Sequence, residues 1–177
     1  VLRAGNLKLR SGEAQAADEF SRTEGGFSRF NFDVNHVSKL SKVTQFYVFA
    51  HGQLANRNLD SSEQFYLGGA DAVRAYPQGE AGGDSGYQAT AELRYQTPVK
   101  GMSMTLFADV GEVLARKDGD TSDPHRRLAG WGIGAVYSLD RSLYARLDYA
   151  RKIKGESYRS EAEDKNGRLW FRLYKLF

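Results

Sequence analysis

Apolar and polar residues alternate along most of this chain with a period of two. Residues 27–38 set Phe30, Phe32 and Val34 against Arg29, Asn31, Asp33 and Asn35. Residues 43–55 set Phe46, Val48, Ala50 and Leu54 against Gln45, Tyr47, Phe49, His51 and Gln53. In residues 102–114, Met104, Leu106, Ala108 and Val110 oppose Ser103, Thr105, Phe107, Asp109 and Gly111. The same pattern runs through 87–96, whose polar face carries Glu92 and Arg94, through 143–152 and through 167–177. In 128–139, Trp131, Ile133, Ala135, Tyr137 and Leu139 face a side left nearly bare by Gly130, Gly132 and Gly134. A weaker example, with Leu7 and Leu9 on one side, occupies residues 1–11. Strict alternation is the signature of a strand with one apolar face, so about eight strands are expected.

The connections between them alternate in length. Residues 12–25 are small and polar and read as a loop; a short helix over 13–20 is the alternative, but no apolar stripe supports it. Residues 39–42 are a short link, 56–84 a long loop, 99–101 short, 115–127 long, 140–141 a tight turn and 154–166 long. Neighbours joined by short links pair antiparallel. A soluble sandwich has no need of such alternation, whereas an outer-membrane barrel has short turns on one side and long loops on the other. The pattern therefore predicts an all-β fold, an antiparallel transmembrane barrel. The polar faces carry Arg29, Asp33, Glu92, Arg94, Asp109, Arg146, Asp148, Arg168 and Arg172; on any single strand the solvated face of a soluble sheet is the better reading, and the barrel rests on the whole set. Aromatic residues near strand ends (Tyr87, Tyr95, Trp131, Tyr137, Tyr149 and Phe177) fit interfacial girdles.

Composition narrows the alternatives. With 25 basic and 22 acidic residues the net charge is +3, and the basic residues are scattered, which argues against a nucleic-acid partner. A mean hydropathy of −0.57 would ordinarily mean a soluble protein. A membrane barrel tolerates it, because only alternate strand residues face lipid. Cysteine is absent, so no disulfide framework or thiolate metal site exists. His36, His51 and His125 lie apart and form no ligand cluster, and no phosphate-binding glycine loop or GxSxG nucleophile setting occurs. No catalytic residue, cofactor or metal is expected. The first residue is Val1 and strand pattern begins at once, as in a segment of something longer.

The rest of the chain is organised around residues 65–96. Here Leu67-Gly68-Gly69 is followed by Val73-Arg74-Ala75-Tyr76, then by Gly83-Asp84-Ser85-Gly86 and Glu92-Leu93-Arg94; Phe107-Ala108-Asp109-Val110-Gly111 lies on the next strand. These segments resemble the VRG(Y/F) motif of the sixth extracellular loop and the FxDxG motif of the outer-membrane translocators of two-partner secretion. Those translocators form the haemolysin and filamentous-haemagglutinin secretion/activation family, within the wider superfamily that includes barrel-assembly proteins. The resemblance covers essentially the whole chain. It implies strands nine to sixteen of a sixteen-stranded barrel, with residues 1–177 forming its carboxy-terminal portion and the client-binding POTRA domains and first strands lying outside it. Two residues depart from the pattern: Ala75 stands where the family usually has Gly, and Lys175 interrupts the apolar series that ends in Phe177.

The resemblance also implies a mechanism. The loop folds back into the lumen, where Arg74 of the Val73-Arg74-Ala75-Tyr76 tip meets Asp109, flanked by Phe107 and Gly111, with Glu92 as a second acceptor. Guanidinium suits this because its planar fork matches a carboxylate. The implied activity is passive export of an unfolded exoprotein across the outer membrane of a Gram-negative bacterium, driven by client folding outside. The implied partners are the secreted client, outer-membrane lipid and the barrel-assembly machinery, the last recognising the strand that ends in Phe177. Two other readings stay open: a barrel-assembly factor of the same superfamily, and a self-contained eight-stranded barrel or soluble sheet with a small ligand.

Overall fold

A computed structural model describes residues 1–115, 125–139, 142–153 and 166–176. Eight strands form one sheet: β1 (Leu2–Leu7), β2 (Gly25–Lys39), β3 (Thr44–Ala55), then β6 (Ser85–Gln96), β7 (Met102–Leu114), β8 (His125–Ser138), β9 (Leu143–Lys152) and β10 (Gly167–Lys175). Two short strands between β3 and β6, β4 (Phe65–Leu67) and β5 (Ala81–Gly83), pair only with each other. Every neighbouring pair in the large sheet is antiparallel and the order follows the chain, so the connections are simple up-and-down reversals. Apart from β1, its strands have 9 to 15 residues, enough to cross a bilayer at a tilt. No helix among the described residues is long and apolar enough to cross a membrane.

Burial is inverted relative to a water-soluble protein. Val34, Leu54, Met104, Leu106, Ile133, Leu147 and Phe171 are exposed, whereas Gln53, Arg74, Glu92, Thr105, Asp109 and Asp148 are buried. On β7 the alternation is clean, with Leu106 52% exposed and its neighbour Phe107 3%. An apolar belt facing outward around a polar interior is the arrangement a barrel needs in lipid. Tyr87 lies near the long-loop end of this belt, and Tyr95 and Tyr137 lie near the short-turn end. Trp131 departs from the sequence expectation: it sits mid-strand opposite Ala108 rather than at an end.

The core lies between the inner face of the sheet and the loop that crosses it. Phe65, Leu67, Val73, Ala75, Tyr76 and Ala81 of residues 65–81 pack with Phe107, Val113, Leu128 and Ala150 of the wall. The long loop is thus structured, containing a 3-10 turn at Ser61–Glu63 as well as the β4–β5 hairpin. Gly68 and Gly69 take φ of +87° and +117° at the tight turn after β4, a region that glycine enters without steric cost.

The loop expected over residues 12–25 is in fact mostly helix. α1 (Gly12–Ser21) starts at Ser11, whose side chain accepts from the Ala14 amide, and ends at Arg22 in the left-handed region. The Asp18 carboxylate binds the Thr23 hydroxyl and the Thr23 and Glu24 amides, tying off that end. Helix formation here rests on caps and on Ala and Glu propensity rather than on an apolar stripe, which is why periodicity missed it. β1 ends at Leu7, opposite Gly25 where β2 begins, short of the strand expected through residue 11. Arg57 and Asn58 of the long loop donate to the carbonyls of Arg22 and Ser21, tethering the helix end.

Candidate functional site

The site is built on three adjacent rows of the sheet's inner face. One row runs Phe49, Thr90, Asp109, Gly130, Lys152. The next runs Tyr47, Glu92, Phe107, Gly132, Ala150, Arg168, and the third Gln45, Arg94, Thr105, Gly134, Asp148, Trp170. Strand register alone therefore gathers three carboxylates, Asp109, Glu92 and Asp148, on one wall. Unpaired and buried they would repel strongly. Arg94 and Arg146 of the same wall pair with Glu92 and Asp148, and the loop brings a further cation to Asp109.

Arg74 enters with its side chain 4% exposed. Its Nε donates to Asp109 Oδ2 at 2.8 Å and its Nη2 to Oδ1 at 2.7 Å, a two-point fork. Nη1 donates to Glu92 Oε1 at 2.9 Å and lies 3.8 Å from Asp148 Oδ1. The backbone N–H of Arg74 also donates to Asp109 Oδ2, at 3.1 Å, and the Thr90 hydroxyl donates to Oδ1 at 2.9 Å. The guanidinium carbon sits 3.3 Å from the centroid of the Phe107 ring, so the aromatic face covers the side of the cation that the carboxylates leave open. Gly111, the remaining FxDxG residue, lies where the Leu67 side chain crosses the wall: a Cβ there would come within 2.6 Å of Leu67 Cδ2.

The other residues of the tip seat it. Val73 and Tyr76 are buried, and Lys152 Nζ stands 4.8 Å from the centroid of the Tyr76 ring. Ala75 is 1% exposed and packs over Gly130, where an added Cβ would lie 2.6 Å from the Ala75 methyl. Among the described residues only Arg22 combines a side chain with positive φ, so Ala75 carries no left-handed strain. The bare stripe of β8 has its reason here. Gly130 receives Ala75, Gly132 the edge of Phe107 and Gly134 the Asp148 carboxylate.

Several participants were not legible as site residues in the sequence. Arg146 bridges Glu92 Oε1 at 2.9 Å and Asp148 Oδ2 at 2.7 Å, and Arg94 reaches Glu92 Oε2 at 2.7 Å. Asp148 itself is fully buried. Trp170 Nε1 donates to the carbonyl oxygen of Arg74 at 2.7 Å, and Arg172 pairs with Asp71 of the loop. Gln53 clamps the loop's base: Nε2 donates to the carbonyls of Glu63 and Asp84, while Oε1 accepts from Arg29 and Asn31. Their one shared signal was a polar residue on the inward phase of a strand, which many non-participants also have. Tyr47, Asp71, Arg94, Arg146 and Arg172 line a polar cavity of about 170 Å³ beside the docked arginine. The described residues hold no group of three or more His, Cys, Asp or Glu able to bind a metal. Phe177 and most of the loops 115–127 and 154–166 lie outside the described residues.

Comparison with known proteins gives a consistent picture. The family described as "Haemolysin secretion/activation protein ShlB/FhaC/HecB" matches residues 6–137. The heme/hemopexin transporter protein HuxB of Haemophilus influenzae is 32% identical over 111 residues, which cover 60% of this chain and 20% of HuxB. A further HuxB sequence from that species is 31% identical over 112 residues. The chain thus spans about a fifth of the length of these relatives. Among solved structures, CdiB from Acinetobacter baumannii superposes with a TM-score of 0.65 at 20% identity, covering 86% of this chain and 27% of CdiB. At that identity the likeness concerns the fold.

Proposed function

Because the chain belongs to the haemolysin secretion/activation family, the outer-membrane translocators of two-partner secretion, we propose that it forms part of the wall of an outer-membrane barrel that exports a large exoprotein, such as a haemolysin or adhesin. On this reading the exposed apolar belt meets lipid and the inner face lines the conduit. The strand ending in Phe177 is the element that the barrel-assembly machinery recognises. Residues 1–177 are the carboxy-terminal portion of the barrel, with POTRA domains and the first strands elsewhere in the protein. Export is passive, drawn forward by folding of the client outside. The matched family favours export over barrel assembly as the task of the same architecture.

The observation that carries the proposal is Arg74, held from one loop by carboxylates of two strands inside the sheet. A loop lying across a conduit must be held in one place if it is not to obstruct it. Its anchor must also be reversible if client is to pass. A non-covalent ion pair beneath a hydrogen-bonded tip meets both needs. Breaking a fully buried pair costs about 3–5 kcal/mol, and water in a lumen lowers that figure.

The test uses the full-length protein with its secreted client. Arg74→Ala and Asp109→Ala should each reduce exported client while leaving the translocator's abundance in the outer membrane near normal. The double variant should be little worse than either single, since one interaction is lost once. Arg74→Lys should not restore full export, because an ammonium cannot supply the fork to Asp109 and the contact to Glu92 together. Normal export by Arg74→Ala would refute the proposed role of the loop.

A further inference from the structure

β10 reaches the docked loop through two side chains outside the arginine–carboxylate motif. The Trp170 indole donates to the main-chain carbonyl of Arg74 at 2.7 Å. That contact needs no particular side chain at position 74. Arg172 Nη1 is bonded to the Asp71 carboxylate of the loop, and its Nη2 to Asp148 Oδ2 at 3.3 Å. One residue thus ties the loop both to the last strand and to the neighbouring β9.

The placement of these contacts gives them consequence. β10 is the terminal strand of the sheet and, among the described residues, is paired only with β9. The loop leaves the sheet between β3 and β6, crosses β7, β8 and β9, and touches β10 at its far end. It therefore spans the sheet as a brace, anchored mid-wall by Arg74 and at the edge by Trp170 and Arg172.

We propose that Trp170 and Arg172 are positioning residues that clasp the loop tip to the last strand, so that docking of the loop and seating of β10 stabilise each other. Linkage makes the coupling reciprocal: whatever protection the docked loop confers on β10, the seated β10 confers on the loop. Undocking of the loop during transport would then loosen the terminal strand, and a disturbed terminal strand would release the loop. Nothing in this coupling depends on what, if anything, passes through the barrel.

Backbone hydrogen exchange on the full-length protein in lipid nanodiscs, without client, tests the proposal. Loop docking is read at the Gly69 and Arg74 amides, which donate to the Tyr76 carbonyl and the Asp109 carboxylate. Strand seating is read over Gly167–Lys175. Trp170→Phe keeps an aromatic ring and removes the donor; it should speed exchange at the two loop amides by roughly 2- to 12-fold, the weight of one net hydrogen bond. Asp71→Ala, at a side chain 84% exposed and far from the strand in sequence, should speed exchange in β10 by roughly 1.4- to 5-fold, the weight of an exposed ion pair, and Asp71→Glu should restore it. A tryptophan that merely packed β10 would loosen that strand alone and leave the loop amides unchanged. Unchanged loop exchange in Trp170→Phe, or unchanged β10 exchange in Asp71→Ala, overturns the clasp. Should Trp170→Phe lower the yield of folded barrel, the Asp71 pair of variants decides.

Discussion

Gly130→Ala offers a stringent test of how the loop is seated, because one methyl group should dislodge it. The new Cβ would stand 2.6 Å from the Ala75 methyl and 3.1 Å from the Arg151 carbonyl oxygen, where ordinary contacts begin near 3.4 Å. Gly130 is fixed in the ladder between Asp109 and Lys152, so the wall cannot yield and the loop must. Restoring normal contact requires a retreat of roughly 1 Å. That would stretch the Arg74–Asp109 bonds, now 2.7 and 2.8 Å, beyond hydrogen-bond range. Overpacking of this kind costs about 1–3 kcal/mol. Ala75→Gly removes the opposing methyl and leaves the Ala75 Cα as the next loop atom, at a comfortable 3.7 Å. The double variant should therefore recover most of the loss, with a coupling of about 1–2 kcal/mol. The assay is trypsin cleavage after Arg74 in the full-length protein in lipid, since a docked arginine is inaccessible to the protease. Gly130→Ala should be cut faster than wild type, and Gly130→Ala/Ala75→Gly at close to the wild-type rate. A double variant cut as fast as Gly130→Ala would refute the direct contact between these positions as the cause.

Other expectations follow from the two faces and the ends of the strands. Leu106→Arg places a charge in the outward belt, where a midplane arginine costs roughly 2–4 kcal/mol. Asn35→Arg, on the inward phase of β2, should fold in lipid with near-normal yield, and equal yields for both would contradict the assigned faces. In intact cells making the full-length protein, a cysteine at Glu13 on α1 should react with an impermeant thiol reagent and one at Lys100 should not; the reverse would invert the sidedness. The Thr23 hydroxyl, opposed by partial burial and aided by the Glu24 and Thr23 amides and the Ser21 hydroxyl, holds the Asp18 carboxyl well below the usual carboxylate range. A lowered value means the charged form is favoured by folding, so its contribution is full above the ordinary carboxylate range and is lost only as pH falls through the lowered value. Exchange protection of residues 21–24 should accordingly persist from neutral pH into mild acid, and Asp18→Asn should weaken it at neutral pH.

Local pattern alone determined the eight strands of the large sheet, their antiparallel order and the inward phase of Asp109, Glu92 and Arg94, though not the β4–β5 hairpin in the long loop. Each follows from a period of two and from connection lengths, which are properties of short segments. The motif residues Val73, Arg74, Ala75 and Tyr76 could be singled out in the same way, together with Phe107, Asp109 and Gly111, because a family likeness is itself local. α1 escaped because its support is a serine cap and an aspartate at the far end, features that carry no periodic signal. Only the tertiary structure decided which inward polar groups meet. Register across successive pairs places Asp148 beside Gly134 and Trp170 beside Asp148, and such alignment accumulates over turns whose geometry composition does not specify. The glycines of β8 make the same point. In the chain they are a bare stripe on a strand, and they acquire meaning only when a loop more than fifty residues earlier lays Ala75 on Gly130. Contacts between segments so far apart depend on packing many elements at once, and packing is not written in any one of them.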